Sequence, residues 1–224
     1  MSDAEISSDH LRPILQIEAD NAAKLMEYRK GRVRMVNNVT NKVKVMTVAA
    51  LLSAIGILIP LVMPKIMIEP ASYTLASHVP VFIAMFISPI VAISVALISS
   101  IGFLFAGFPM VIVLRALTHI IFATTGALIL KKKNNILASA RTAIPFGLLL
   151  AVIHAIAEVT AVCLYYFGTG NSTSLYFIFV LVGLGTIIHS MVDFGIAVFV
   201  WIPLQHVVMI PANAKIKRVQ KSAV

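Results

Sequence analysis

From Val45 to Met63 the chain reads VMTVAALLSAIGILIPLVM, without one charged side chain. As a helix rising about 1.5 Å per residue, such a run approaches the ~30 Å hydrocarbon thickness of a bilayer. Inside hydrocarbon nothing hydrates a backbone amide, so a crossing segment must satisfy its own N–H and C=O groups, as a helix does. Comparable runs recur toward the C-terminus, leaving 12% charged against 59% hydrophobic residues. A soluble domain carries about 25% charged residues. This chain cannot cover a water-facing surface, and the expected fold is all-α, a polytopic membrane protein.

Six transmembrane helices are expected: 45 to 63, a short segment from about His78 to Ile87, a third after Ser88-Pro89 to about Phe105, then about Pro109 to Leu130, Thr142 to Phe167 and Leu175 to Leu204. The basic residues test that count. Eight Lys/Arg precede the first span, four lie between the fourth and fifth (Lys131, Lys132, Lys133, Arg141), and four follow the sixth (Lys215, Lys217, Arg218, Lys221). With six spans these sixteen of the 18 share one side, and Lys65 alone lies on the other. The positive-inside rule then places both termini in the cytoplasm. It also explains the +9 net charge by topology, with no nucleic-acid partner.

Three regions follow: a cytoplasmic extension (1–44), a six-helix membrane domain (45–204) and a basic cytoplasmic tail (205–224). The extension should hold a short helix around Ile14 to Tyr28, with RKGRVR (29 to 34) resting on anionic membrane lipid. Its polar character argues against a cleavable signal peptide. Cys163 is the single cysteine and permits no internal disulfide. The halves show no repeat, which argues against an inverted-repeat carrier.

Three spans carry polar pairs at i, i+4, on one helix face: Arg115 with His119, His154 with Glu158, and His189 with Asp193. A charge at mid-bilayer costs at least about 2.5–3.5 kcal/mol, so these groups should face the bundle interior and one another. By helical rise Arg115 lies about 9 Å and His119 about 15 Å from the outer face, with Glu158 about 13 Å deep and Asp193 further toward the cytoplasm. Two roles stay open for Arg115: ion-pair glue with Glu158, or a planar fork for a ligand carboxylate. HxxxE plus HxxxD offers ligand types that suit a transition metal, but bundle interiors use such pairs for packing, and neither metal nor cofactor is assigned. The outer loop PKIMIEPASYTLASH (64 to 78) brings Glu69, Tyr73, Thr74 and His78, and FAGFP (105 to 109) brings two phenylalanines, as a water-excluding lid would require. Trp201 near the inner face is expected to anchor at the interface. There is no G-x-x-x-x-G-K-[ST], H-E-x-x-H or G-x-S-x-G, so the chain carries no ATPase or hydrolase signature and is not expected to be an enzyme.

The segments SYTLASHVPVFIAMFISP, GFLFAGFPMVIVLRALTH and VGLGTIIHSMVD, with Ala50 and Ala54 in an A-x-x-x-A motif, resemble the substrate-binding (S) components of energy-coupling factor vitamin transporters. The resemblance covers about residues 45 to 204 and points to the niacin branch, with pantothenate and cobalamin carriers as relatives. It implies capture of a vitamin from outside, in a bacterial plasma membrane, by a pocket built from the first outer loop and spans four to six. The implied pocket residues are Tyr73, Thr74, His78, Arg115, His119, His154, Glu158 and Asn171. It further implies toppling onto a transmembrane coupling protein, contacted through Ala50 and Ala54, with energy from two partner ATPase subunits. Nicotinate suits Arg115 by its carboxylate and the aromatic loops by its ring; pantothenate shares the carboxylate. A stand-alone proton-coupled carrier using the His/Glu/Asp set and an intramembrane metalloenzyme are the readings from other classes.

Overall fold

The computed structural model describes residues 8–68, 71–170, 174–207 and 210–216. Glu69 and Asn171 lie outside the described residues. The chain divides into two compact units, Met1–Lys44 and Val45–Val224. In the first, the helix expected at Ile14–Tyr28 is part of a longer one, α1 (Ser8–Val62). The RKGRVR run does not stop it, because Lys and Arg are good helix formers and residues 14–44 contain no proline. One turn apart in this stretch, the Arg32 guanidinium donates to the Tyr28 hydroxyl.

The second unit begins with the apolar end of α1. An antiparallel hairpin follows, β1 (Lys65–Ile68) with β2 (Ala71–Thr74), in a register that pairs Lys65 with Thr74 and Ile68 with Ala71. This small sheet is the one addition to the all-α expectation among the described residues. Five longer helices follow among the described residues, α2 (Val79–Ile87), α3 (Pro89–Phe105), α4 (Met110–Lys132), α5 (Ala140–Gly168) and α6 (Leu175–Val207), with a 3-10 turn (Ile136–Ala138) between α4 and α5. Four helices, α1, α4, α5 and α6, are long and apolar enough to cross a membrane. α3 has 17 residues and α2 only 9, so α2 rises about 14 Å, under half the hydrocarbon thickness.

The break between α2 and α3 is local chemistry. Ser88 is extended (φ −168°, ψ 162°), as the residue before a proline prefers. Its hydroxyl accepts the Val91 N–H at 3.3 Å, an N-cap contact, and Pro89 at the first helical position has no N–H to leave unpaired. Between α3 and α4 the FAGFP turn needs Gly107 at φ +77°, a conformation open to glycine. Within α6, Ile178–Leu184 widens into a π-helix.

All nine residues of α2 are buried, which makes this short helix the centre of the unit. Phe82 packs against Phe122 of α4 and Phe194 of α6, at ring separations of 5.2 and 5.5 Å. The last carbonyls of a helix lack internal partners, and those of α2 are capped by the chain after α6. Asn213 N–H donates to the Ile87 carbonyl (3.0 Å) and Ala214 N–H to that of Phe86 (2.9 Å). The described part of the tail (210–216) is therefore packed structure.

Trp201 is part of the same joint. It is buried, not an interfacial anchor: its ring lies 5.8 Å from Phe86 and its indole N–H donates to the Ala214 carbonyl at 3.3 Å. The tail, remote in position but not in space, supplies the acceptor that a headgroup was expected to supply. Trp201→Phe should keep the fold and lose about 1 kcal/mol of stability, read as a lowered melting temperature in detergent.

Candidate ligand-binding site

Four of the chain's six histidines come together inside the second unit, with Glu158 and Asp193, the only acidic residues after Glu69. Arg115 and His119 sit one turn apart on α4, His154 and Glu158 on α5, His189 and Asp193 on α6, and His78 at the start of α2. The three i, i+4 pairs thus face a common interior, as burial of charge in an apolar bundle demands. All but His189 are buried.

Glu158 is the hub. Arg115 Nη2 donates to its Oε2 at 3.0 Å, and the Thr186 hydroxyl donates to the same oxygen. Its Oε1 lies 3.4 Å from His154 Nε2 and 3.8 Å from His119 Nε2. The pairing of Arg115 with Glu158 is therefore real, yet it uses only part of the guanidinium: Arg115 Nε is buried without a hydrogen-bond partner.

Asp193 is the second hub, and it reaches the base of the first loop. Its Oδ1 accepts the Ala76 N–H (2.8 Å) and its Oδ2 the His78 N–H (2.9 Å), with His78 Nδ1 also at 3.1 Å from Oδ2. The loop folds down to meet it through Ala76, a non-glycine residue at φ 66°. Such a conformation costs of order 1–3 kcal/mol, offset here by a carboxylate held with two backbone donors. Nothing in the sequence pattern marks Ala76.

Tyr73 of the hairpin reaches α6, where its hydroxyl donates to the Leu181 carbonyl in the π-helical segment. Burial raises the phenol's pKa above its ordinary value, which keeps the donor proton in place. Its ring packs on Gly185, where any Cβ would collide with the phenol oxygen, and Arg115 Cζ lies 5.6 Å from the ring centroid, within cation–π range.

A cavity of about 60 Å³ opens beside this network. Thr74, His78, Arg115, His119 and Glu158 line it; Tyr73 and His154 stand behind the wall. Four polar lining residues were not among the expected site residues: Lys65, Ser72, Ser77 and Ser99. Ser99 is the most informative: it lines the cavity from α3, and its hydroxyl, packed towards Gly56, is buried and unpartnered. A lone serine in an apolar helix gives no signal of its own. Phe103 and Phe108 add an apolar wall, with Lys65 Nζ 5.4 Å from the Phe108 ring centroid.

Compared with known proteins, the chain is 38% identical over 174 residues to the niacin transporter NiaX of Lactococcus lactis subsp. cremoris (strain MG1363), covering 76% of this chain and 78% of that protein. No family model and no solved structure matches the chain.

Breaking a buried ion pair by deleting one partner costs about 3–5 kcal/mol, whereas replacing both by apolar residues is often neutral. Arg115→Leu alone should therefore lower the melting temperature in detergent sharply by stranding Glu158. Arg115→Leu/Glu158→Leu should recover most of that loss.

Proposed function

We propose, from the premise that the chain belongs to the niacin-type family of S components of energy-coupling factor vitamin transporters, that it captures nicotinate in the cavity beside Arg115 and hands it to an ATP-driven module. The observation that carries the substrate is a pair of buried donors without partners, Arg115 Nε and the Ser99 hydroxyl, on two residues that line the cavity. Buried polar groups are nearly always hydrogen-bonded. A ligand carboxylate satisfies both, and a charge-assisted bond to guanidinium is among the stronger ones available.

The remaining wall suits the rest of nicotinate. Phe103 and Phe108 offer apolar surface for a flat ring, Thr74 offers a polar contact at its edge, and the rings of His78 and His119 wall the same cavity. Tyr73, His154 and Glu158 hold the arginine and imidazoles in place, and the family resemblance adds Asn171. A cavity of about 60 Å³ must widen to admit any of these vitamins, and nicotinate, the smallest of them, asks least of it. No group is transferred; binding in the membrane is the whole of the chain's chemistry.

The transport cycle completes the proposal. Six crossings with both termini in the cytoplasm of a bacterial plasma membrane put the cavity on the outer half. Ala50 and Ala54 are both exposed on α1, leaving a small-residue face free for close approach of a coupling protein's helix. Two ATPase subunits bound to that protein supply the energy.

Titration of purified protein with a panel of vitamins should show nicotinate bound and pantothenate and cobalamin not. Ser99→Ala should weaken nicotinate about 10-fold or more, the loss expected for a hydrogen bond to a charged group, with the melting temperature unchanged; equal affinity would remove Ser99 from the site. Ala50→Trp should leave nicotinate affinity intact and impair uptake by cells carrying the whole transporter. Loss of both together would count against a docking role for that face.

A further inference from the structure

His154 is fully buried, and its Nε2 makes no hydrogen bond. The other ring nitrogen, Nδ1, lies 2.8 Å from the Ser190 hydroxyl. A proton on Nδ1, donated to Ser190, leaves the Nε2 lone pair facing Glu158 Oε1 at 3.4 Å. The second oxygen of Glu158 is already engaged by Arg115 and Thr186. In that tautomer two buried acceptors face one another, an arrangement that a cation between them would satisfy.

Two more imidazoles converge on that point. His119 Nε2 lies 3.8 Å from Glu158 Oε1. The rings of His78, His119 and His154 are 4.7, 4.8 and 4.9 Å apart pairwise. His78 Nδ1 is turned to Asp193 Oδ2 at 3.1 Å, and a proton shared there leaves Nε2 free as a donor atom. A carboxylate or hydroxyl behind the ring is how ligand histidines are oriented. Here Asp193 serves His78 and Ser190 serves His154.

One donor atom from each of His78, His119, His154 and Glu158 lies within 4.8 Å of the others. A tetrahedral ion with bonds of about 2.0–2.1 Å needs donors about 3.3 Å apart. The two Glu158 separations are already near that value, and small rotations of the rings close the rest. We propose that these four residues form a site for a divalent first-row transition metal ion of the zinc type. Three imidazoles and one carboxylate suit such an ion. Four protein ligands leave no open position, the mark of a structural site, so the ion fastens the start of α2 to α4 and α5. Each helical pair alone reads as ordinary packing; what the sequence does not reveal is that His78 and His119 join the second of them.

The test uses tag-free, full-length protein in detergent, since a polyhistidine tag binds the same ions. Elemental analysis should find about one equivalent of a transition metal per chain, removable by a strong chelator. Cobalt(II) added to the stripped protein should produce the visible bands of a tetrahedral site, raise the melting temperature and be displaced by zinc. His119→Gln and His154→Gln should lose the bands. Stripped, monodisperse wild-type protein that takes up no cobalt overturns the proposal, as do bands that survive in both variants. Should the variants fail to fold, the wild-type titration decides alone. Nicotinate binding by the stripped protein is read separately, so the metal site and the transport function stand or fall independently.

Discussion

The structure turns on two carboxylates that have no water to face. Glu158 and Asp193 are buried in a bundle whose interior is mostly apolar. A carboxylate left unpaired in such surroundings would cost far more than the few kcal/mol a domain has to spare. Each therefore recruits partners: Glu158 takes Arg115, Thr186 and two histidines, and Asp193 takes two backbone amides and His78. Those partners come from α2, α4, α5, α6 and the base of the hairpin loop. Satisfying two charges fixes the relation of nearly every element around the cavity.

Helix positions and the inward-facing polar pairs were legible in the sequence because both rest on local rules. An uncharged run has one way to satisfy its amides in hydrocarbon, and i, i+4 residues share a face wherever the helix goes. Ser88-Pro89 marked its break through the steric demand of proline on the preceding residue. What could not be read were contacts made across long sequence distance. Trp201 looked like an interface residue because its partner, the Ala214 carbonyl, belongs to a segment that composition marks only as a tail. The partners of Asp193 could not be read because the Thr74–His78 turn that meets it lies more than a hundred residues away in sequence. Ser99 and Ala76 were silent because a single small residue in an apolar run has no pattern.

α2 links the two ends of this organisation. At its start His78 enters the polar cluster, and at its end Phe86 and Ile87 accept hydrogen bonds from the chain after α6. A nine-residue helix is marginal alone, so its geometry is set by what holds its ends. The ligand cavity and the C-terminal joint thus share one short, wholly buried element.

Charge connects the cavity to the histidine cluster. With imidazoles counted as neutral, the buried network holds one positive group, Arg115, against two carboxylates. Nicotinate would add a third negative charge, within a medium where Coulomb energies are several times those in water. Lys65 at the cavity wall is exposed, so solvent screens much of its compensation. A dication among His78, His119, His154 and Glu158 changes the balance from one excess negative charge to one excess positive charge, which a monoanionic ligand then cancels. The unpartnered Nε of Arg115 asks for an anion with or without that dication, and the dication would lower the cost of admitting one.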